Sequence, residues 1–247
     1  MRNFKIVLQY EGTRYQGWQK QVSTDNTIQG KIEALLSKMS GTAVEIQGAG
    51  RTDAGVHAYG QVANFHIETE KTATEIMDYM NLYLPEDISV IHCEEKPERF
   101  HARLNAKGKV YCYHIWNSHK KPVFRRKYVH QVPGELDMEA MKQAATALCG
   151  THDFQSFTST KHGKKSTVRR VDSIEIEREG EEIIFTFRGD GFLYHMVRIM
   201  MGTLIEVGIG IRKAEDIPSI IEAKDRSRAG HLIPGKGLAL MEVKYDN

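Results

Sequence analysis

Hydrophobic and polar residues alternate from Phe4 to Tyr10, and this alternation predicts a β-strand. Apolar residues then recur at helical spacing from Ile28 to Met39, with Thr27 placed to cap the helix. The other elements predicted for the first hundred residues are strands at 44–47, 61–67 and 88–93 and a helix at 76–84, which Pro85 ends. The order of elements is therefore β-α-β-β-α-β.

The second half of the chain follows a similar theme, with long hairpins. Its predicted strands cover 109–116, 128–132, 171–177, 183–187 and 238–245, and its predicted helices cover 138–148, 193–207 and 217–223. We therefore expect an α+β fold of two pseudo-repeated, ferredoxin-like halves whose sheets are mixed and mostly antiparallel. The expected domains are residues 1–105 and 106–247, packed together over a shared cleft because no Pro- or Ser-rich linker separates them.

Charge is distributed unevenly along the chain. The formal net charge of the 247 residues is only +2, but residues 106–170 hold nine Lys and four Arg against four acidic residues. This stretch therefore carries a local charge of +9, and the rest of the chain is net acidic. Such asymmetry fits a surface that binds a polyanion, and it equally fits a solvated charged face.

Cysteine usage and hydropathy limit the classes of protein to consider. The three cysteines are widely spaced and form no C-x-x-C pair, which argues against a disulfide framework or a zinc ribbon and favours a reducing compartment. The most apolar long stretch, Phe192 to Ile211, contains His195, Arg198 and Glu206, so we interpret it as a core helix and not as a membrane span. The first residues show no apolar signal segment. We therefore expect a cytoplasmic protein.

The segment from Gly48 to Ala58, GAGRTDAGVHA, holds the strongest chemical signal. Three glycines in eight positions predict a tight turn and exclude a regular helix or strand. Arg51 and Asp53 are two positions apart, so the guanidinium is expected to hold the carboxylate ionised and aimed, as a nucleophile or general base requires. The alternative is that Asp53 only caps a turn. His57 and Asp53 lack further ligands for a metal, and no phosphate-binding glycine motif is present.

This segment resembles the signature of the TruA family of pseudouridine synthases, in which the Asp of G-R-T-D-A-G is catalytic. Other motifs of the family lie in the family's order along nearly the whole chain. They are YEGTRYQGWQ at 10–19, TIQG at 27–30, FHAR at 100–103, KVYCY at 109–113 and FLYHMVR at 192–198. Two positions depart from the usual family pattern, Ala239 near the C-terminus and Ile199 after the arginine. These departures leave the reaction class intact and affect only the finer substrate contacts.

The resemblance implies an activity and a set of roles. It implies a tRNA substrate modified in the anticodon stem-loop at nucleotides 38 to 40, a homodimer, a central RNA-binding cleft, and no metal or other cofactor. Carried over by position, Asp53 is the catalytic residue, Tyr111 stacks against the target base, and Arg198 pairs with Asp53. On its own pattern, a tyrosine on an alternating strand such as Tyr111 is more typical of a core or a sheet surface than of a catalytic site.

Further residues are candidates for contact with the RNA backbone. Basic clusters at 119–121, 125–127 and 161–170 are suited to phosphates, which give affinity and salt dependence more than sequence specificity. Arg14 and Trp18 in the opening loop are expected to add a backbone contact and a stacking surface. The individual residues of the basic stretch that we expect to contact RNA are Lys164, Lys165, Arg169 and Arg170.

Two other functions fit parts of the pattern. Duplicated β-α-β-β-α-β halves are also the plan of RRM domains, which bind RNA without chemistry and have no need of Asp53. A hydrolase that uses Asp53 and His57 with a metal would require more acidic ligands than the segment provides. The G-R-T-D-A-G run favours the synthase over both.

Overall fold

The computed structural model describes residues 1–160 and 166–246. Contacts between Cα atoms divide the chain into two compact units. Unit 1 contains residues 1–107 together with the end of the chain from Ala239, and unit 2 contains residues 108–238. Within the described residues, no helix combines the length and the apolar composition needed to cross a membrane.

Unit 1 is built on a mixed sheet whose order follows from its β-α-β-β-α-β sequence. Its elements are β1 (Arg2–Tyr10), α1 (Ile28–Ser40), β2 (Ile46–Gly48), β3 (His57–Ile67), α2 (Ala73–Tyr83) and β4 (Ile88–Lys96). Strand β1 lies between β4 and β3, and β2 pairs with β3; all three pairings are antiparallel. Thr27 caps α1 as predicted, whereas α2 begins at Ala73, before the predicted start at 76, because Thr72 forms a capping box there with Glu75.

Unit 2 is built on a second set of mostly antiparallel strands. Its elements are β5 (Gly108–Trp116), β6 (His130–Gln131), α3 (Met138–Ala147), β7 (Gly150–Asp153), β8 (Val168–Glu179), β9 (Glu182–Gly189), α4 (Met196–Gly208) and α5 (Ile217–Ala223). The strands follow the order β6-β5-β9-β8-β7, with only β5 and β6 parallel. The predicted hairpin is confirmed, and Gly180 supplies the positive φ of +62° at its turn. The expected α+β class with mostly antiparallel strands is confirmed.

The final strand joins unit 1, not the second half to which the expected domain 106–247 assigned it. This strand, β10 (Leu238–Lys244), runs parallel to β3, with Ala239 opposite His57 and Leu240 opposite Ala58. Its backbone also approaches Gly60 closely, since a Cβ there would lie 2.4 Å from the carbonyl oxygen of Met241. Hydropathy predicts a strand at the end of the chain but not its pairing partner, which lies about 180 residues earlier.

Several element boundaries differ from those predicted, and backbone angles account for two of the differences. Helix α4 begins at Met196 and not at Leu193, because His195 has a left-handed φ of +66° that a helix cannot contain. Gly150, which follows the predicted helix 138–148, has a φ of +107° and begins the short strand β7, which was not predicted. Neither conformation changes the hydrophobic pattern, so periodicity does not reveal it.

Candidate active site

The loop that carries Asp53 joins β2 to β3, and two hydrogen bonds to its backbone hold it at its start. The backbone N–H of Ala49 donates to the carbonyl oxygen of Val62 at 2.8 Å. The side-chain amide of Gln61, which is fully buried, donates to the carbonyl oxygen of Gly50 at 2.9 Å. A satisfied buried amide is costly to displace, so these bonds fix where the loop leaves the sheet.

Thr52 anchors the middle of the loop to the interior of unit 1. Its hydroxyl lies 2.8 Å from the hydroxyl of Tyr10, and its carbonyl oxygen accepts the N–H of Trp18 at 3.0 Å. Burial raises the pKa of Tyr10 to about 12, although its hydrogen bonds with Thr52 and Gln61 oppose the rise. Tyr10 therefore stays neutral at ordinary pH, and it fixes the residue directly before Asp53.

Glycines bring the opening segment against this loop with no room for a side chain. A Cβ on Gly12 would lie 1.9 Å from the carbonyl oxygen of Val56, and one on Gly17 would lie 2.7 Å from that of Thr52. Gly17 also has a φ of +88°, which side chains disfavour. The family-like spacing of glycines in the opening motif therefore has a direct steric cause.

Asp53 itself sits half-buried at a turn. Its carbonyl oxygen accepts the N–H of Val56 at 3.1 Å, and Gly55 closes the turn with a φ of +76°. The expectation that Arg51 holds the Asp53 carboxylate is wrong in this structure. Arg51 is exposed and forms no ion pair with any residue the structure describes, Asp53 included. The intervening Thr52 side chain points into the core, and the guanidinium stays at the surface.

His57 is a buried part of the support for the loop. Its Nδ1 accepts the backbone N–H of Gly12 at 3.1 Å, which leaves that nitrogen without a proton of its own. In the described parts of the chain, no three or more His, Cys, Asp or Glu side chains are grouped so that they could hold a metal ion.

Tyr111 belongs to unit 2, where it lies on β5 opposite Phe187 of β9. It is only 7% exposed, and its ring meets the edge of Phe192 with centroids 5.4 Å apart and planes at 88°. An edge-to-face pair of this kind fixes the orientation of both rings. Phe192 comes from the F-L-Y-H-M-V-R motif, so two of the quoted motifs meet within this unit.

Arg198 also belongs to unit 2 and is half-buried on α4. Its Nε donates to the carbonyl oxygen of Ile233 at 2.7 Å. The residues around Ile233, 229–234, run along α4, and we call them the α4 strap. The strap continues to Pro234, whose carbonyl oxygen accepts the hydroxyl of the buried Tyr113 at 2.8 Å. The sequence gives no signal of the strap, which is irregular and apolar.

Polar side chains of α4 hold the α4 strap in place. Thr203 accepts the N–H of Gly230 at 2.9 Å, and Gly202 lets the strap approach so closely that a Cβ there would lie 1.9 Å from the carbonyl oxygen of His231. The buried Glu206 accepts both the N–H and the Nδ1 of His231, at 3.1 Å and 2.6 Å, and the Nε of Arg212. The strap therefore depends on side chains that the sequence interpretation had treated only as part of a core helix.

These contacts shift the pKa of Glu206. Burial by itself raises the pKa of the carboxyl group, but hydrogen bonds from Arg212 and His231 outweigh it and leave the pKa below its ordinary value. Glu206 is therefore ionised in the folded protein at neutral pH, and its charge is matched by that of Arg212.

Of the two candidates in the opening loop, one is exposed and the other is buried. Arg14 lies at the surface, where its Nη2 and Nε contact the Asp87 carboxylate at 2.6 Å and 2.9 Å, and Tyr15 donates to the same carboxylate at 2.6 Å. The stacking role expected of Trp18 is wrong in this structure, because the indole is only 2% exposed and packs on Gly48. A Cβ on Gly48 would lie 2.6 Å from that ring.

The remaining RNA-contact candidates lie at the start of β8. Arg169 donates to the carbonyl oxygens of Ser166 and Val168, and the exposed Arg170 contacts Asp172 at 2.7 Å. Both side chains remain near the surface. Lys164 and Lys165 lie outside the described residues.

Comparisons with known proteins agree on one family. A model of the tRNA pseudouridine synthase family matches residues 6–105 and 144–246. The tRNA pseudouridine synthase A 2 of Bacillus anthracis is 47% identical over 245 residues, and the tRNA pseudouridine synthase A proteins of a Bacillus species (strain KSM-64) and of Acetivibrio thermocellus are 49% and 45% identical. Each alignment covers 99% of this chain and 100% of the relative. The resemblance read from the motifs is confirmed, and the chain belongs to the tRNA pseudouridine synthase family.

Proposed function

We propose that this protein converts uridine to pseudouridine in the anticodon stem-loop of tRNA, at nucleotides 38 to 40, with Asp53 as its catalytic carboxylate. Membership of the tRNA pseudouridine synthase family supports the reaction and the class of substrate. The site of modification and the role of Asp53 rest on the quoted motifs and on the geometry of the loop.

The reaction needs few reagents from the protein, but it requires that the protein position the reacting groups accurately. The N1–C1′ bond of uridine breaks, the detached uracil rotates, and a C5–C1′ bond forms; the proton on C5 leaves to solvent, and N1 takes up a proton in its place. Substrate and product have the same atoms, and no electrons are gained or lost, so the proposal includes no metal or other cofactor. Asp53 can take part by attacking the sugar, by attacking the ring, or by removing a sugar proton.

The observation that carries the proposal is the way the Asp53 loop is immobilised. Thr52 on one side is tied to the buried Tyr10, and Val56 on the other side closes a turn onto the carbonyl oxygen of Asp53. A carboxylate that only capped a turn would not need the close approach of Gly12 and Gly17 to the same loop. A reacting group held on a rigid support avoids the cost of being ordered during the reaction.

Tyr111 and Arg198 complete the proposal in unit 2. A uracil that leaves its stack loses energy, and an aromatic wall returns about 1–3 kcal/mol per stacked base. Tyr111, braced at its edge by Phe192, is proposed as that wall. Arg198, whose Nε is occupied by Ile233, is proposed to supply positive charge to the reacting centre. Arg51, Arg14, Arg169 and Arg170 are proposed as contacts with the RNA backbone.

The assembly and location of the protein are further parts of the proposal. We infer a homodimer and a cytoplasmic enzyme, on the family resemblance and on the location of its tRNA substrate. Sedimentation equilibrium of the purified protein tests the dimer. A mass equal to that of one chain at micromolar concentration would contradict it.

The test of the proposed function is release of tritium from tRNA labelled at uracil C5. Wild-type protein is incubated with unmodified tRNA without added metal or cofactor, beside Asp53→Asn and a control, Asp25→Asn, which changes an exposed loop carboxylate of the same unit. We expect release by the wild type and by the control, and none by Asp53→Asn. Substrates that retain one uridine each at nucleotides 38, 39 and 40 then identify the modified positions. A wild-type protein that binds tRNA but releases no tritium would contradict the proposal.

A further inference from the structure

The connection between β5 and β6 presents an unusual surface. Its residues 119–127, which we call the basic turn, hold five cationic side chains and no acidic one. In their midst Phe124 is 94% exposed and the neighbouring Val123 is 58% exposed. A single exposed apolar side chain is ordinary, but a fully exposed phenylalanine inside a cluster of like charges is a different kind of surface.

The backbone of the basic turn is held in place by hydrogen bonds, and this imposes the exposure of Phe124. The indole Nε1 of Trp116 donates to the carbonyl oxygen of Lys120 at 2.8 Å. On either side of Phe124, the N–H of Val123 donates to Lys121 at 2.9 Å, and Nη1 of Arg126 donates to the carbonyl oxygen of Val123 at 2.7 Å. The turn is therefore built to present the ring outward, with no apolar surface of the turn folded over it.

The charges of the basic turn are only partly neutralised. Arg125 contacts Glu182 at 2.6 Å. Lys120 and Lys121 are exposed, and neither forms an ion pair with a residue in 1–160 or 166–246. A ligand that matches this surface carries closely spaced negative charges and a flat apolar face. An unpaired nucleotide of RNA has both.

We propose that the basic turn binds a single-stranded part of the tRNA substrate, with an unpaired base stacked on Phe124 and the adjacent phosphates in contact with Lys120, Lys121 and Arg126. The inference rests on the proposed function for its ligand. A second copy of the chain is a poorer occupant, because a two-fold contact through this turn would place five positive charges against five.

The test compares variants of the ring by their affinity for unmodified tRNA. Phe124→Ala should weaken binding between about fivefold and about a hundredfold, the range for loss of one stacked base. Phe124→Leu should bind as weakly as the alanine variant, whereas Phe124→Trp should restore affinity, because stacking requires a π-face and not merely an apolar side chain. Ile211→Ala is the control, since it removes another apolar side chain of unit 2 that is 70% exposed.

The charges are tested separately by the salt dependence of binding. Replacing Lys120 and Lys121 together by Ala should reduce the slope of log Kd against log salt concentration by about 1.4, or about 0.7 for each phosphate contact on a single strand. Phe124→Ala should leave that slope unchanged. Sedimentation of each variant, with and without tRNA, shows whether the oligomeric state has changed.

Several outcomes would overturn the proposal. If Phe124→Ala binds tRNA within twofold of wild type, Phe124 makes no stacking contact with the tRNA. If Phe124→Leu binds as tightly as wild type, the contact at this position is apolar and does not involve stacking. A change in oligomeric state with unchanged affinity per site would make the turn a protein contact. If the wild type binds tRNA but releases no tritium while Phe124→Ala loses affinity, the proposed function fails and the basic turn stands as an RNA contact.

Discussion

The two units hold their candidate site residues by different arrangements. In unit 1 the Asp53 loop depends on missing side chains, because Gly12 and Gly17 admit the opening segment against the loop backbone. In unit 2 Arg198 depends on side chains that are present, because Thr203 and Glu206 hold the strap whose carbonyl oxygen the guanidinium contacts. Unit 2 also excludes a side chain at one close approach, that of Gly202 to the strap. It anchors the strap through the buried carboxylate of Glu206, whose pKa is lowered, so acidification should weaken this arrangement.

The largest expected effect on stability comes from adding one methyl group to unit 1. Gly12→Ala places a Cβ 1.9 Å from the carbonyl oxygen of Val56, so the loop backbone must move. We expect a loss of about 3 kcal/mol in the free energy of unfolding or an insoluble protein, measured by urea denaturation.

Gly55→Ala is the matched control for that substitution. It lies in the Asp53 loop, next to Val56, with a φ of +76° but has no heavy atom within 4 Å of the added Cβ, so it should cost only about 1 kcal/mol, from backbone strain. Equal costs for the two variants would show that backbone strain, and not close packing, governs the loop.

The next effect is expected in unit 2 and depends on pH. Glu206→Gln removes the charge that Arg212 and His231 contact, and should cost about 2 kcal/mol at neutral pH. Because the pKa of Glu206 is lowered in the folded state, its stabilisation is present above the ordinary carboxyl pKa and is lost as the pH falls through the lowered value. The difference in Tm between wild type and variant should therefore shrink on acidification below about pH 4.

The charged groups that face Glu206 allow this prediction to be checked. Arg212, His231 and Arg226 are the ionisable groups near the carboxylate. His231→Ala should leave most of the acid-side loss in place, because Arg212 still contacts Glu206. A Tm difference between wild type and Glu206→Gln that stays constant from pH 7 to pH 3 would contradict the anchoring role of the ionised carboxylate.

The smallest effect is expected for a single hydroxyl in unit 1. Tyr10→Phe removes the bond to Thr52 and should cost about 1 kcal/mol of stability, which urea denaturation measures. Since Thr52 directly precedes Asp53, kcat for tritium release should fall while KM for tRNA stays within twofold. A rise in KM with unchanged kcat would mean that the bond serves tRNA binding and not the placement of Asp53.

Hydrophobic periodicity predicted most of the elements, and the motifs predicted the family. The strand β1 and the Thr27 cap of α1 are local features that a few residues determine. The left-handed backbone at His195 is not visible in a hydrophobic pattern, so the start of α4 was placed three residues too early. Local sequence thus locates elements better than it locates their ends.

The details of the candidate site depend on contacts between distant residues, which explains what the sequence missed. Trp18 looked like an exposed stacking residue, but its burial depends on Gly48, thirty positions away, having no side chain. Arg51 looked like a partner of Asp53 because the two are close in sequence, yet Thr52 between them turns inward. Proximity along the chain did not predict contact in the loop.

The most direct test of the account is a single-turnover tritium-release measurement on Asp53→Asn, with enzyme in excess over labelled tRNA and Kd measured on the same sample. The account predicts a rate reduced by at least about a thousandfold at every enzyme concentration, with tRNA affinity within twofold of wild type, because the carboxylate acts in the chemical step. Asp25→Asn should match the wild type in both quantities. Release by Asp53→Asn at the rate of that control would show that Asp53 is not the catalytic residue and would contradict the central claim.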